Sequence, residues 1–403
     1  YHHGEASLNG AIVGMAQNFV GSNNINLLRP NGQFGTRLAG GKDSASERYI
    51  FTQLETITRK IFIPADDKIL NYRDDDGDIV EPVYYAPIIP MILVNGALGI
   101  GTGFSTQILC YNPKDIIATL KYRLERKEGE ALSPSWGSDL MPYYRGFTGS
   151  IKRMDDGRHL IKGKYQREKG DMLHVTELPV GCWTDDFKQH LENLMDAKSG
   201  KNKKVVIRDY DDMSTDVTVS FKIKFTTGTV NELEAQQYED GNYNGIEKLL
   251  KLYSFQSTTN MNLFDADDKL KKYETTGEII GDFYNARIKL YSKRRSALIA
   301  HMEEILKVLS NKAKYIEENL AGTIDLRRKK QDEITKMLED KGYDKKDDDY
   351  KYLVKLPMDS VTDENVVRLM KEFDENKAHL EMLQKTTKHQ MWIADLDALA
   401  KEL

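Results

Sequence analysis

Apolar positions recur at helical spacing in several stretches of the chain, separated by turn-forming residues. Leu8, Ile12, Met15 or Ala16, and Phe19 follow one another at three- and four-residue steps. That spacing predicts an amphipathic helix after Ser7, stopped by Gly21-Ser22-Asn23-Asn24. Arg29-Pro30-Asn31-Gly32 predicts a turn. Gly35 to Lys42, with three glycines and two cations, predicts a loop. Tyr49-Ile50-Phe51-Thr52 is β-prone, and Leu54, Ile57 and Ile61 predict a short helix.

The texture then changes twice. From about 89 to 270 the pattern is mixed α and β. Pro87-Ile88-Ile89-Pro90 and Met91-Ile92-Leu93-Val94 read as buried, and Val205-Val206-Ile207 and Val217 to Phe221 alternate like strands. From 276 to 321 there is no proline. Phe283, Leu290, Leu298, Met302, Ile305, Leu309, Ala313, Ile316 and Leu320 keep one helical seam, with Gly322 as its stop. About 45 residues at a 1.5 Å rise give roughly 65–70 Å, longer than a globular core needs. Another helix is expected over Leu326 to Gly342. A second seam after Thr362, through Val366, Met370, Phe373, Leu380 and Leu383, suggests a long antiparallel coiled-coil arm. A short amphipathic helix is expected from Met391 to Leu403. The expected architecture is multidomain α+β. A winged-helix domain spans 1–88, a mixed α/β tower domain 89–270, and the coiled coil with a C-terminal dimerisation gate 271–403.

Composition narrows the function classes. The chain has 403 residues, 30% of them charged, and no run of about 18 apolar residues, so no membrane partner is expected. Hydrophobics at 40%, with 13 Phe, 21 Tyr and 3 Trp, exclude wholesale disorder. Two cysteines, Cys110 and Cys182, exclude a disulfide framework and a cysteine-based zinc ribbon. The net charge of −5 argues mildly against a nucleic-acid binder. Yet Arg145 to Lys169 carries eight Lys or Arg against three Asp or Glu, which predicts a local positive surface.

Taken singly, the candidate chemical motifs are weak. Tyrosine is a poor nucleophile, with a pKa near about 10, unless neighbouring cations stabilise the phenolate and the phosphate it attacks. Arg48-Tyr49 offers that pairing, but an isolated dipeptide reads first as structural. His2-His3-Gly4-Glu5 lacks zinc-ligand spacing. Gly99-Ile100-Gly101-Thr102-Gly103 lacks the lysine of a P-loop and reads as a tight turn exposing Ile100. Asp74-Asp75-Asp76-Gly77-Asp78 misplaces the glycine of a calcium loop and reads as a solvated acidic turn.

Six strings in order change that picture. They are Tyr1-His2-His3-Gly4-Glu5, Ala16 to Asn24 (AQNFVGSNN), Gly32 to Arg37 (GQFGTR), Gly40-Gly41-Lys42-Asp43, Arg48 to Thr52 (RYIFT), and Pro90 to Ala97 (PMILVNGA). Together they resemble the breakage–reunion region of eukaryotic-type type IIA DNA topoisomerases. Leu353 to Met358 and Leu396 to Leu403 resemble the end of that region's coiled coil and gate. The likeness is dense before residue 110 and thin in the tower.

The resemblance implies roles. Tyr49 would attack a DNA phosphate, giving a 5′-phosphotyrosine. Arg48 would neutralise the phosphate, and His3, supported by His2, would hydrogen-bond near it. Ile100 would be the apolar wedge between base pairs. Arg37, Lys42, Gln17 and Asn18 would face DNA. Leu98 and Phe104, flanking the wedge, stand where the family carries Glu and Trp. The implied partners are double-stranded DNA and a second copy of the chain. Mg²⁺ and ATP would serve the complete enzyme from outside this chain. The first residues read like the interior of a longer protein, and the resemblance puts the family's metal-binding acidic cluster and ATPase domain N-terminal to this region, so this chain alone is not expected to cleave efficiently. The alternative is a DNA-bending, dimerising fragment without turnover. The expected location is the nucleus for a cellular protein, and host cytoplasm or virion for a virus-encoded one.

Overall fold

The computed structural model describes residues 4–127, 129–155, 157–196, 206–327, 329–357 and 360–403. His2 and His3 lie outside them. By internal contacts the chain forms two compact units. One gathers the residues through Pro64, Tyr85–Arg287 and Asp395–Leu403. The other gathers Ala65–Tyr84 and Ile288–Ala394. The architecture is mixed α+β.

The first unit opens with α1 (Glu5–Ala16), a 3₁₀ turn (Glu47–Tyr49) and α2 (Thr58–Ile61). Ala16 is the buried end of the predicted seam, whereas Met15 is exposed. Next come α3 (Met91–Asn95), the hairpin β3 (Ala97–Gly101) and β4 (Phe104–Ile108), and α4 (Pro113–Leu124). Ile88, Ile89, Leu93 and Val94 are fully buried, as their unbroken apolar run predicts. Asn112 caps α4 by accepting the Lys114 N–H at 2.9 Å, Pro113 opens the helix, and Ile116, Ile117, Leu120 and Leu124 form its buried stripe.

The core of this unit lies under a four-stranded antiparallel sheet. Its strands are β7 (Lys164–Arg167), β8 (Met172–Glu177), β10 (Phe221–Phe225) and β9 (Ile207–Asp212), in that order. Leu173, Val175, Phe221, Ile223 and Phe225 alternate inward onto Phe187 and Leu191 of α5 (Thr184–Met195). Val217 to Ser220 is not strand; β10 begins only at Phe221, because Thr215 and Thr218 bond each other in a turn. Val205 lies outside the described residues. A second sheet orders β13 (Tyr253–Ser257), β6 (Arg158–Lys162) and β5 (Ser150–Arg153). Between β10 and β13 in sequence lie α6 (Thr229–Ala235), the short pair β11 (Gln237–Tyr238) and β12 (Tyr243–Asn244), and α7 (Gly245–Leu249). The hairpin β14 (Met261–Phe264) and β15 (Leu270–Tyr273) follows.

α8 (Thr276–Leu320) is one uninterrupted helix of 45 residues. Gly322, at φ +72°, stands just past its end, where a left-handed residue suits a helix stop. Within the second unit α8 packs against α11 (Asp363–Lys385), whose N-cap is Thr362. Ala313 and Ile316 meet Leu369, while the Arg295 guanidinium donates to the carbonyls of Gln384 and Thr386. The two helices therefore run antiparallel. Two seam positions differ from expectation: Leu369, not Met370, is buried, and Leu320 is exposed. Steps of three and four from Val366 reach Phe373 through either residue, and packing against Ala313 and Ile316 of α8 is what covers Leu369.

The helix expected over 326–342 is shorter, α9 (Gln331–Asp340). α10 (Lys351–Val354) follows it, and Leu338 and Leu353 share a small core with Tyr343 and Tyr350. α12 (Lys388–Ala400) starts before Met391, and its Trp392 stacks on Tyr291 at 5.2 Å. The hairpin β1 (Tyr72–Asp75) and β2 (Asp78–Pro82) turns at the exposed acidic tip, where Asp74 accepts the Gly77 N–H.

Candidate nucleic-acid interface

Tyr49 ends the 3₁₀ turn and is 70% exposed. Its own N–H donates to the Ser46 carbonyl. The chain just after it is clamped. Phe51 and Asn31 exchange both backbone bonds at 3.0 and 3.1 Å, the Arg29 N–H donates to Gln53, and the Thr52 hydroxyl donates to the Arg29 carbonyl. Gly32 has φ +117°, and a Cβ there would come within 2.9 Å of the Ile50 side chain. Only glycine allows the two segments to lie this close. The β-prone stretch at 49–52 is thus split: a tight turn through Tyr49, then an antiparallel bridge at Phe51. The phenol stands out from a fixed backbone with the Arg48 guanidinium 5.5 Å from its ring centre. A phenol held in solvent beside a cation suits attack on an anionic ester.

The glycine loop is a rigid platform. The Asp43 carboxylate accepts the Thr36 N–H at 2.8 Å and its hydroxyl at 2.6 Å. Burial pushes the Asp43 carboxyl up, but these bonds outweigh it and hold it below the usual carboxylate range. Gln17 donates to the carbonyls of Phe34 and Gly41. A Cβ on Gly40 would enter the Trp183 ring, and α5 donates its first N–H groups to Arg37 and Leu38.

The proposed DNA-facing residues therefore separate. Lys42 and Asn18 are exposed. Gln17 is occupied in bracing the loop. Arg37 is not on a DNA-facing surface: it is buried, with its guanidinium 2.5 Å from the buried Glu177 carboxylate. Glu177 also accepts from Thr148 and from the Leu178 N–H. Nothing in a Gly-Thr-Arg string distinguishes a cation aimed outward from one aimed at an acid 140 residues away.

Ile100 is 94% exposed and Leu98 is 84% exposed on the same face of β3. Ile100 is on a strand, one residue before the turn. The basic stretch at 145–169 is less available than its charge count suggests. Lys162, Arg167 and Arg158 are ion-paired with Glu247, Glu234 and Glu239, and Arg153 donates to two carbonyls. Lys164 and Lys169 are exposed.

Asn24 was legible only as part of a helix stop. It is buried and donates to the carbonyls of Val94, Tyr111 and Tyr143, while accepting the Arg145 N–H. One side chain thereby ties the segment after α1 to three others. Among the described residues no group of three His, Cys, Asp or Glu is placed to hold a metal ion.

The sequence model of the DNA gyrase/topoisomerase IV A-subunit family matches residues 1–397. The chain belongs to this family. The stretch it represents is the breakage–reunion region of a type IIA topoisomerase. DNA topoisomerase 2 of Arabidopsis thaliana is 38% identical over 445 residues, covering 100% of this chain and 29% of that protein. DNA topoisomerase 2 of Acanthamoeba polyphaga mimivirus is 36% identical over 461 residues, covering 98% and 35%. The chain thus spans about a third of the length of these relatives. The crystal structure of the Plasmodium falciparum topoisomerase II DNA-binding, cleavage and re-ligation domain superimposes with a TM-score of 0.87 at 38% identity. That likeness covers 100% of this chain and 55% of the other. In this topoisomerase chain, no helix among the described residues is long and apolar enough to cross a membrane.

Proposed function

We propose that this chain is the DNA-binding and cleavage region of an ATP-dependent type IIA topoisomerase that opens one duplex transiently and passes another through it. The observation that carries the reading is Tyr49, held outward on a clamped turn with Arg48 beside its ring. The Tyr49 phenol oxygen forms a bond to phosphorus as the bond from phosphorus to the 3′-oxygen breaks. The phenol gives up its proton and the departing 3′-oxygen takes one up. The product is a 5′-phosphotyrosine and a free 3′-hydroxyl. One phosphodiester replaces another, so resealing needs no separate energy source. Arg48 neutralises charge on the phosphate in the transition state, and His3, supported by His2, donates a hydrogen bond near it.

Ile100 enters between base pairs and bends the duplex, and Lys42 and Asn18 contact the backbone. Residues 1–88 act as the winged-helix domain and 89–270 as the tower. Residues 271–403 form the coiled coil and gate through which two chains pair. Two copies bring two tyrosines to two strands. Mg²⁺ and ATP are bound by the complete enzyme outside this chain. A cellular protein of this kind works in the nucleus, and a virus-encoded one in host cytoplasm or the virion.

The deciding experiment is covalent trapping. The full-length enzyme is mixed with labelled duplex and Mg²⁺, denatured and digested. A 5′-linked adduct mapped to Tyr49, lost in Tyr49→Phe with DNA binding retained, supports the mechanism. Bound DNA without an adduct supports the bending fragment instead.

A further inference from the structure

The strand that carries Ile100 belongs to a sheet of only two strands, β3 and β4. A lone hairpin is marginally stable in water. One face of β3 projects Leu98 and Ile100 into solvent, and the other carries Ala97, Gly99 and Gly101, which have little side chain to pack. A wedge that separates base pairs must withstand the stacking it displaces. The two strands alone supply little stiffness for that.

The β14–β15 hairpin supplies it. Ser105 lies directly opposite Ile100 in the β3–β4 register, and Gln107 lies opposite Leu98. The Asn260 amide donates to the Ser105 hydroxyl at 2.7 Å. The Asn262 amide donates to the Ser105 carbonyl at 2.8 Å and to the Asn260 side-chain oxygen at 2.8 Å. The Gln107 N–H donates to the Asn260 carbonyl at 2.8 Å. Both positions across from the exposed apolar pair are therefore gripped from the same side. Phe264 adds an edge-on contact to the Phe104 ring, with centres 6.4 Å apart. Phe104 in turn lies over Gly101, where a Cβ would come within 2.8 Å of the ring. The second hairpin is itself anchored. Met261 and Tyr273 are buried cross-strand partners, and Asp282 on α8 accepts from the Tyr273 hydroxyl and Lys271, both at 2.8 Å.

We propose that β14–β15 is the buttress of the DNA-bending wedge, with Asn260, Asn262 and Phe264 as positioning residues that hold Ile100 through Ser105 and Phe104. The inference rests on reading Ile100 as the wedge. It goes beyond that reading by assigning wedge stiffness to a hairpin far along the chain, none of whose residues needs to touch a base.

The test has two arms. In the free protein, Asn262→Ala combined with Phe264→Ala should raise amide exchange across residues 97–108 by about tenfold, from the lost bonds. Exchange in α4 should stay unchanged, since Phe264 is largely exposed and its loss opens no core cavity. In the full-length enzyme, the same variant should bend an intact end-labelled duplex less, as read by fluorescence transfer. It should bend a duplex with a mismatched bubble at the wedge site as well as wild type does. Phe264→Tyr alone, which keeps both the ring and Asn262, should bend the intact duplex as wild type does. Unchanged exchange over 97–108 overturns the buttress. So does unchanged bending of the intact duplex where Ile100→Ala abolishes it. If Ile100→Ala itself leaves the bend intact, the wedge reading fails, and the exchange arm still decides whether β14–β15 holds the hairpin.

Discussion

The Arg37 guanidinium meets the Glu177 carboxylate at 2.5 Å, with both side chains almost fully withdrawn from solvent. Removing one partner of such a pair strands a charge in a poorly solvated site. Arg37→Ala should therefore destabilise the protein by about 3–5 kcal/mol. A urea titration followed by tryptophan fluorescence measures this. A loss under about 1 kcal/mol would mean that the pair is solvated in solution and that Arg37 is available to DNA after all.

Lys42 should behave in the opposite way. It is exposed on a loop braced by Asp43, Gln17 and Trp183. Lys42→Ala should leave the unfolding midpoint unchanged, weaken DNA binding across sequences alike, and reduce the salt slope of log K by about 1. An unaltered salt slope removes Lys42 from the backbone contacts.

Arg48 sits beside Tyr49, the proposed nucleophile, and not in a core, so its loss should appear in rate more than in affinity or stability. Arg48→Ala should slow formation of the covalent adduct by about 10²–10³ with DNA affinity little changed, by analogy with the loss of one charge-stabilising donor. Single-turnover cleavage in the full-length enzyme reads this directly. A cleavage rate equal to wild type would deny Arg48 its transition-state role.

His159 provides a pH test of the fold. It is buried on β6, and neither ring nitrogen has a hydrogen-bond partner. Burial pushes its pKa below the ordinary 6.5, and the Arg153 cation acts in the same direction. Below about pH 6.5 the unfolded chain therefore binds more protons at this residue than the folded chain does. The stability contributed by the neutral ring is whole above the ordinary value of 6.5. It is lost as pH falls through the lower folded value. Between about pH 7.5 and about pH 5, the urea midpoint of wild type should fall further than that of His159→Gln. Parallel curves would show that His159 titrates alike in both states.

Much of the backbone was legible because local rules and tertiary packing agree. The apolar seam from Phe283 to Leu320, with Gly322 beyond, marks the body and the end of α8. The failures fall where a side chain's partner lies far along the chain. Asn24 bonds segments 70 to 121 residues away, and its sequence signal was only that of a turn. Met370 and Leu369 are equally apolar neighbours, and only the partner helix decides which of them is covered.

The same division runs through the site. Its candidate residues could be named without any fold, because a tyrosine beside an arginine and an isoleucine among glycines stand in short, ordered strings that resemble those of a family. The long helices were readable too, since periodicity and stop signals act within a few residues. Which cations face outward emerged only from the folded chain, because an arginine's availability depends on whether a distant carboxylate, here Glu177, shares its burial. Folding alone also joined the strand of Ile100 to Asn260 and Asn262. Hydrogen bonds between hairpins far apart in the chain leave no mark on the spacing of either.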